Sequence, residues 1–238
     1  MVQSAVPRLS HLPQARYLRE PAPLHFPEEE LMPEGYDHLL LRSFLFELLR
    51  FVLGSEHSVQ SEQFVYWNPR SPKRCIAPDV CVKLGVPQSH AGTWKTWERG
   101  GPPDLAIEII SPTTTEKFDW EEKLVRYHEL GIRELVRFDP DDPPGSRLRV
   151  WDLLEGDLVE RRVEGESTHC TLLRLTWAVR PVADLPEGGL RLLDANGNVV
   201  LSALETEKAH VEVERLRAEA AEARIRQLEE ELRRKGRE

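Results

Sequence analysis

The sequence predicts an α/β (α+β) domain followed by a long charged helix. Three observations carry this expectation. Pro102 to Pro140 has the pattern of a strand, a loop, an amphipathic helix, a short link and a second strand. Asp37 to Phe51 repeats apolar residues at helical spacing over a wide stripe, as a largely buried helix does. After Leu201, glycine and proline vanish until Gly236, while Glu, Arg and Ala dominate. The expected division is an extended N-terminal arm over residues 1–35, a folded domain over 36–200 and a coiled-coil-like helix over 201–238. The 238 residues, 40% hydrophobic and 31% charged, suit one globular domain with extensions or two small ones.

Along the chain, the arm is rich in proline and poor in periodicity. In the helix that follows, Asp37 is the expected N-cap and Gly54 the stop. Glu47 stands out among its leucines, either as a solvent-facing charge or as a carboxylate near an active site. Val59–Trp67 is expected to end in a strand and Cys75–Lys83 to form a second, joined by the turn-rich, basic link Asn68–Arg74. The loop from Gly85 to Pro103 carries Trp94 and Trp97, which would pin it to the domain or, with Lys95 and Arg99, grip nucleic acid. Leu148–Leu154 and Leu158–Val163 form a hairpin about Glu155-Gly156-Asp157. Asn196-Gly197 suggests a second hairpin with a type I′ turn, and Thr171–Arg180, with Trp177, is core between the two.

A net charge of −9 argues mildly against broad electrostatic attraction to DNA, though not against a local basic patch. Three cysteines with no CxxC spacing are expected as reduced core residues, and the eight histidines show no HxH or HExxH pattern. No run approaches a membrane span and no secretory signal is visible, so a cytoplasmic protein is expected. In the terminal helix Leu204, Val211, Ala218, Ile225 and Leu232 recur every seventh residue. The companion seam of Glu207, Glu214, Ala221 and Leu228 is poorer. Such a helix either pairs with a partner, in a homo-oligomer or with another protein, or stays solvated.

The chemistry centres on two acids and a lysine. In Asp104–Ile110 residues two apart share a face, so Asp104, Ala106, Glu108 and Ile110 point one way, and Leu105, Ile107 and Ile109 point into a core. A carboxylate within an apolar strand is costly unless a metal or a lysine compensates it. Asp79, opening a second apolar strand, supplies another carboxylate, and Lys123 lies on the following helix. Two carboxylates on a rigid frame suit Mg²⁺ or Mn²⁺, which can activate water for phosphodiester hydrolysis. Asp104 and Asp119 are weaker candidates, the first as a strand start and the second as a helix N-cap. A purely structural alternative leaves Glu108 and Lys123 as a buried salt bridge.

Pro78-Asp79 followed by Glu108-Ile109-Ile110 resembles the PD-(D/E)XK nuclease superfamily, but Ile110 stands where that pattern has its lysine. The longer string APDVCV, TWKTWERG, PPDLAIEIISPTT and EKLVRYHELGIRELVRFDP resembles the Uma-two family of restriction endonuclease-like proteins, over roughly residues 36 to 200. The resemblance implies a restriction endonuclease-like core with a mixed central sheet flanked by helices. It implies DNA as substrate and an active-site lysine drawn from the helix, at Lys123, with Lys117 a weaker substitute. The expected set is Asp79, Glu108 and Lys123 as catalytic residues, with Asp79, Glu108 and Glu47 as metal ligands. The competing expectation is a catalytically degenerate nuclease fold serving as an interaction module, recruiting partners through its tail.

Overall fold

The alternation in the Glu108 strand decides the layering of the domain. A computed structural model describes residues 35–111, 120–182 and 185–235. The N-terminal arm, Lys117 and Asp119 lie outside the described residues. The elements run α1 (Tyr36–Leu53), β1 (Ser58–Ser61), β2 (Val65–Tyr66), β3 (Cys75–Ile76), β4 (Val80–Lys83), β5 (Trp94–Lys95) and β6 (Leu105–Ile109). Then come α2 (Trp120–Leu130), β7 (Glu134–Phe138), β8 (Leu148–Leu154), β9 (Asp157–Arg161), β10 (Ser167–Cys170), β11 (Leu175–Val182), β12 (Leu185–Leu193) and α3 (Ala203–Lys235).

A six-stranded mixed sheet in the order β1-β4-β6-β7-β8-β9 forms the centre. The strand–helix–strand stretch makes its one parallel pair, β6 with β7, because a helical crossover returns the chain in the same direction. On one face Val80, Val82, Leu105, Ile107, Ile109, Val136 and Phe138 pack with α1 through Leu41, Leu45, Leu48 and Leu49, and with Trp177 and Leu190 of the three-stranded sheet β10-β11-β12. On the other face Cys81, Ala106, Leu135 and Trp151 pack with Tyr127 and Leu130 of α2. Ala106 and Glu108 are therefore turned toward α2, as the period-2 pattern requires.

Several local expectations change. Gly35, not Asp37, caps α1, and Asp37 sits in its first turn, while Gly54 stops it by donating its N–H to the Arg50 carbonyl. The strand expected at the end of Val59–Trp67 is the short β2, with β1 formed separately before it, and the strand expected at Cys75–Lys83 breaks in two, into β3 and β4. Pro78 is one reason: it has no N–H for a ladder. The Glu62 N–H reaches the carbonyls of Pro78 and Asp79 instead, and Ser61 donates its hydroxyl to the Asp79 carbonyl at 2.8 Å. Trp94 does pin the loop, buried and donating its indole N–H to the Gly101 carbonyl at 2.9 Å, whereas Trp97 is exposed. The Asn196-Gly197 turn is not type I′, since only Gly197 has positive φ. Asp194 organises it by accepting the Asn196 and Asn198 N–H groups, and the chain returns as a single bridge from Leu193 to Val199.

Among the described residues, helix α3 docks only by its first turn. Ser202 and Glu205 form a reciprocal cap, Ser202 N–H to the Glu205 carboxylate at 2.8 Å and Glu205 N–H to Ser202 Oγ at 3.3 Å. Glu205 also takes two hydrogen bonds from the buried Arg191 guanidinium, at 2.7 and 3.1 Å. Truncation after Val200 should therefore lower the urea unfolding midpoint, costing about 1–3 kcal/mol by stranding Arg191. Truncation after His210 should leave the midpoint where it is. Equal midpoints for the two truncations would show that Glu205 contributes nothing.

Candidate active site

The site forms where β4, β6 and the first turns of α2 meet. In α2, Trp120, Lys123, Tyr127 and Leu130 recur at spacings of three and four, so they lie along one stripe. Tyr127 and Leu130 are buried against the sheet. Trp120 packs at a tilt against Trp151 with ring centroids 5.2 Å apart, and the Arg137 guanidinium lies 5.5 Å from the Trp120 ring. Arg137 is fixed in turn by Asp139 at 2.6 Å and Asp142 at 3.1 Å. The start of α2 is thus anchored, and Lys123 and Tyr127, four apart on one face, are aimed at the same carboxylate.

That carboxylate is Glu108, which is 3% exposed. Lys123 Nζ donates to Glu108 Oε2 at 3.0 Å, and the Tyr127 hydroxyl donates to Oε1. Burial pushes the Glu108 carboxyl above its ordinary value, the Lys123 ammonium pulls it down, and the nearby Asp79 charge pushes it up again. Burial and the Glu108 charge push the Tyr127 hydroxyl well up, so it stays a proton donor. Asp79 Oδ2 accepts the Ile109 N–H at 2.6 Å, which ties the start of β4 to β6. His38, in the first turn of α1, places Nε2 3.2 Å from Asp79 Oδ1 and 3.0 Å from the Ile109 carbonyl.

The structure thus brings Asp79, Glu108 and Lys123 together. It does not bring Glu47 to them. Glu47 is nine residues beyond His38 on α1, about half a turn round and some 13 Å along the helix. It is exposed, 4.0 Å from Arg50. Asp104 is also elsewhere, at the far end of β6, buried between Lys83 at 3.3 Å and Arg133 at 3.2 Å while accepting the Leu84 N–H. Ile110 lies just past β6, with its N–H on the Phe138 carbonyl at 2.8 Å. Cys81 shares the α2 face, but burial pushes its thiol up to about 12, which makes it a packing group and no nucleophile.

Two participants escaped the sequence. Tyr127 is a buried core residue whose hydroxyl also supports Glu108, and a tyrosine one turn beyond Lys123 is the available signal. His38 belongs to no histidine motif, and the placement of α1 against the ends of β4 and β6 is what gives it Asp79 and the Ile109 carbonyl.

The donor set suits a hard cation. Among the described residues no group of three or more His, Cys, Asp or Glu side chains forms a metal cage. Mg²⁺ rarely needs one, being held by one or two carboxylates with water and substrate oxygens. Asp79 and Glu108 are two such carboxylates, each with lone pairs beyond its present hydrogen bonds.

Residues 27–183 match the Uma2 family, described as "Putative restriction endonuclease". The chain belongs to this family. No curated protein matches it. A crystal structure described as "a putative nuclease belonging to DUF820" from Anabaena variabilis is similar at 16% identity, over 68% of this chain and 90% of that one, with a TM-score of 0.44. Two residues beyond Glu108 this Uma2 chain has Ile110, and the ammonium beside Glu108 comes from α2. No helix among the described residues is long and apolar enough to cross a membrane.

Proposed function

We propose that the protein is a metal-dependent endonuclease that hydrolyses phosphodiester bonds in DNA. In this reading Asp79 and Glu108 hold Mg²⁺ or Mn²⁺, and Lys123 is the catalytic cation. The observation that carries it is the Lys123 ammonium 3.0 Å from Glu108, on a face that also holds Asp79. A buried acid–lysine pair beside a second acid is costly to maintain for stability alone. Bound there, the cation supplies Lewis acidity and a more acidic water. Lys123 orients the attacking water and offsets negative charge growing on the phosphate. Tyr127 holds the second oxygen of Glu108, and His38 and the Ile109 N–H hold Asp79, so both carboxylates meet substrate already oriented.

The test is a calorimetric titration of the full chain with Mg²⁺ and Mn²⁺, paired with a plasmid-nicking assay. Wild type should bind and nick. Asp79→Asn and Glu108→Gln should lose the binding heat and the nicking while keeping the melting transition. A competing reading, a degenerate nuclease fold used for protein interaction, draws on the fact that each Glu108 oxygen already takes one hydrogen bond within the protein. It predicts neither heat nor nicking in the wild type, and that result would overturn the nuclease proposal.

A further inference from the structure

Helix α3 is 33 residues long, about 50 Å, and from Glu207 to Lys235 every residue is exposed. Its charges are mostly spent on pairs within the helix, such as Arg215 with Glu212 and Glu219. Such pairs contribute little each in water. Yet its C-terminal half carries a continuous apolar seam. Ala218, Ala221, Ile225, Leu228 and Leu232 follow one another at spacings of three and four, the a/d pattern of a coiled coil. Ile225, Leu228 and Leu232 stand in water, with 56%, 42% and 70% of their surfaces exposed.

The flanking charges identify the occupant. With Ala218, Ile225 and Leu232 at a, the g positions are Arg217 and Arg224 and the e positions are Glu222 and Glu229. In a parallel, in-register pair each g residue faces the e residue five further along the other chain. Arg217 then meets Glu222 of the second copy, and Arg224 meets Glu229. In an antiparallel pair e faces e, and Glu222 would confront Glu229. A β-branched residue at a with leucine at d, here Ile225 and Leu228, favours two strands over three or four. Upstream, Glu207 and Glu214 occupy d, where identical charges would face each other across the seam, so the pairing cannot extend toward the domain.

We infer that residues 218–232 pair with the same segment of a second copy of this chain as a parallel, in-register two-stranded coiled coil. The unpaired upstream half of α3 leaves the two domains at the same end of the coil, free to separate. This inference does not depend on the nuclease proposal.

Sedimentation equilibrium and cysteine cross-linking of the full chain test it. Wild type should pass from the 27.4 kDa monomer to twice that mass as concentration rises. Leu228→Asp should stay monomeric over the same range with an unchanged melt, because Leu228 is exposed and belongs to no buried cluster among the described residues. Val213→Asp, off the seam, should dimerise like wild type. Under mild oxidation Leu228→Cys should give a disulfide-linked dimer, and Val213→Cys and wild type should not. A wild type monomeric at every concentration overturns the inference, as does a Leu228→Asp protein that still dimerises. A dimer that Leu228→Cys cannot cross-link overturns the parallel register.

Discussion

Replacing Lys123 by methionine should reduce DNA cleavage by about 10²–10³-fold, the usual cost of removing one preorganised electrostatic contact from an active site. Methionine keeps the length and apolar packing of the lysine stem, so what changes is the charge 3.0 Å from Glu108. The pH dependence separates this role from a structural one. Folded Glu108 already holds its proton to higher pH than its ordinary value of 4.5, because burial outweighs Lys123. For an acid with a raised folded pKa, the folded state binds more protons, so stability falls as pH rises through 4.5 toward the folded value. Removing Lys123 raises that value further. The variant should therefore lose stability over a wider window above pH 4.5, and the acid limb of any residual activity should move to higher pH. Adding Ile110→Lys to Lys123→Met should restore part of the cleavage, since position 110 shares the face of Glu108. Wild-type cleavage by Lys123→Met, measured as single-turnover rate, would remove the helix-borne lysine from the chemistry.

Arg161→Ala should give the largest loss of stability, about 3–5 kcal/mol, read from urea unfolding. Glu134 is the reason. It is 1% exposed in β7, accepts the Trp177 indole N–H at 2.9 Å and faces Arg161 at 3.1 Å. Arg161 also bonds Asp152 and the His169 carbonyl, so this one guanidinium links β7, β8, β9 and β10. Taking it away leaves the Glu134 charge buried and uncompensated, which costs far more than the pair gains. The double variant Glu134→Gln with Arg161→Met should recover most of the loss, because glutamine still accepts from Trp177 and the one carboxylate left without Arg161, Asp152, is partly exposed to water. A double variant as unstable as Arg161→Ala would mean that packing at Arg161, and not the stranded charge, sets the cost.

The two networks differ in how visible they are beforehand. Glu108 and Lys123 lie fifteen residues apart in one strand–helix unit, and period-2 and period-3.6 spacing put them on facing surfaces. Asp79 is legible for a similar reason, as an acid opening an apolar strand after a proline. Glu134, Arg161 and Trp177 belong to three separated strands, and no local pattern selects them from the other charged and aromatic residues.

By itself the sequence determined which faces are apolar and hence the layers: Leu105, Ile107 and Ile109 on one side of β6, Ala106 and Glu108 on the other, and the seven-residue apolar stripe of α3. These follow from the strand period of two and the helical period near 3.6, which are properties of the backbone and need no partner. Only the tertiary structure decided what stands opposite each face. It set His38 against Asp79, turned the Tyr127 hydroxyl onto Glu108 and left Glu47 in solvent. The reason is that helix periodicity fixes the angle between His38 and Glu47 on α1 but not the rotation of α1 over the sheet. That rotation is set by how Leu41, Leu45, Leu48 and Leu49 pack against β4, β6 and the second sheet, a sum of long-range contacts that no short stretch of sequence contains.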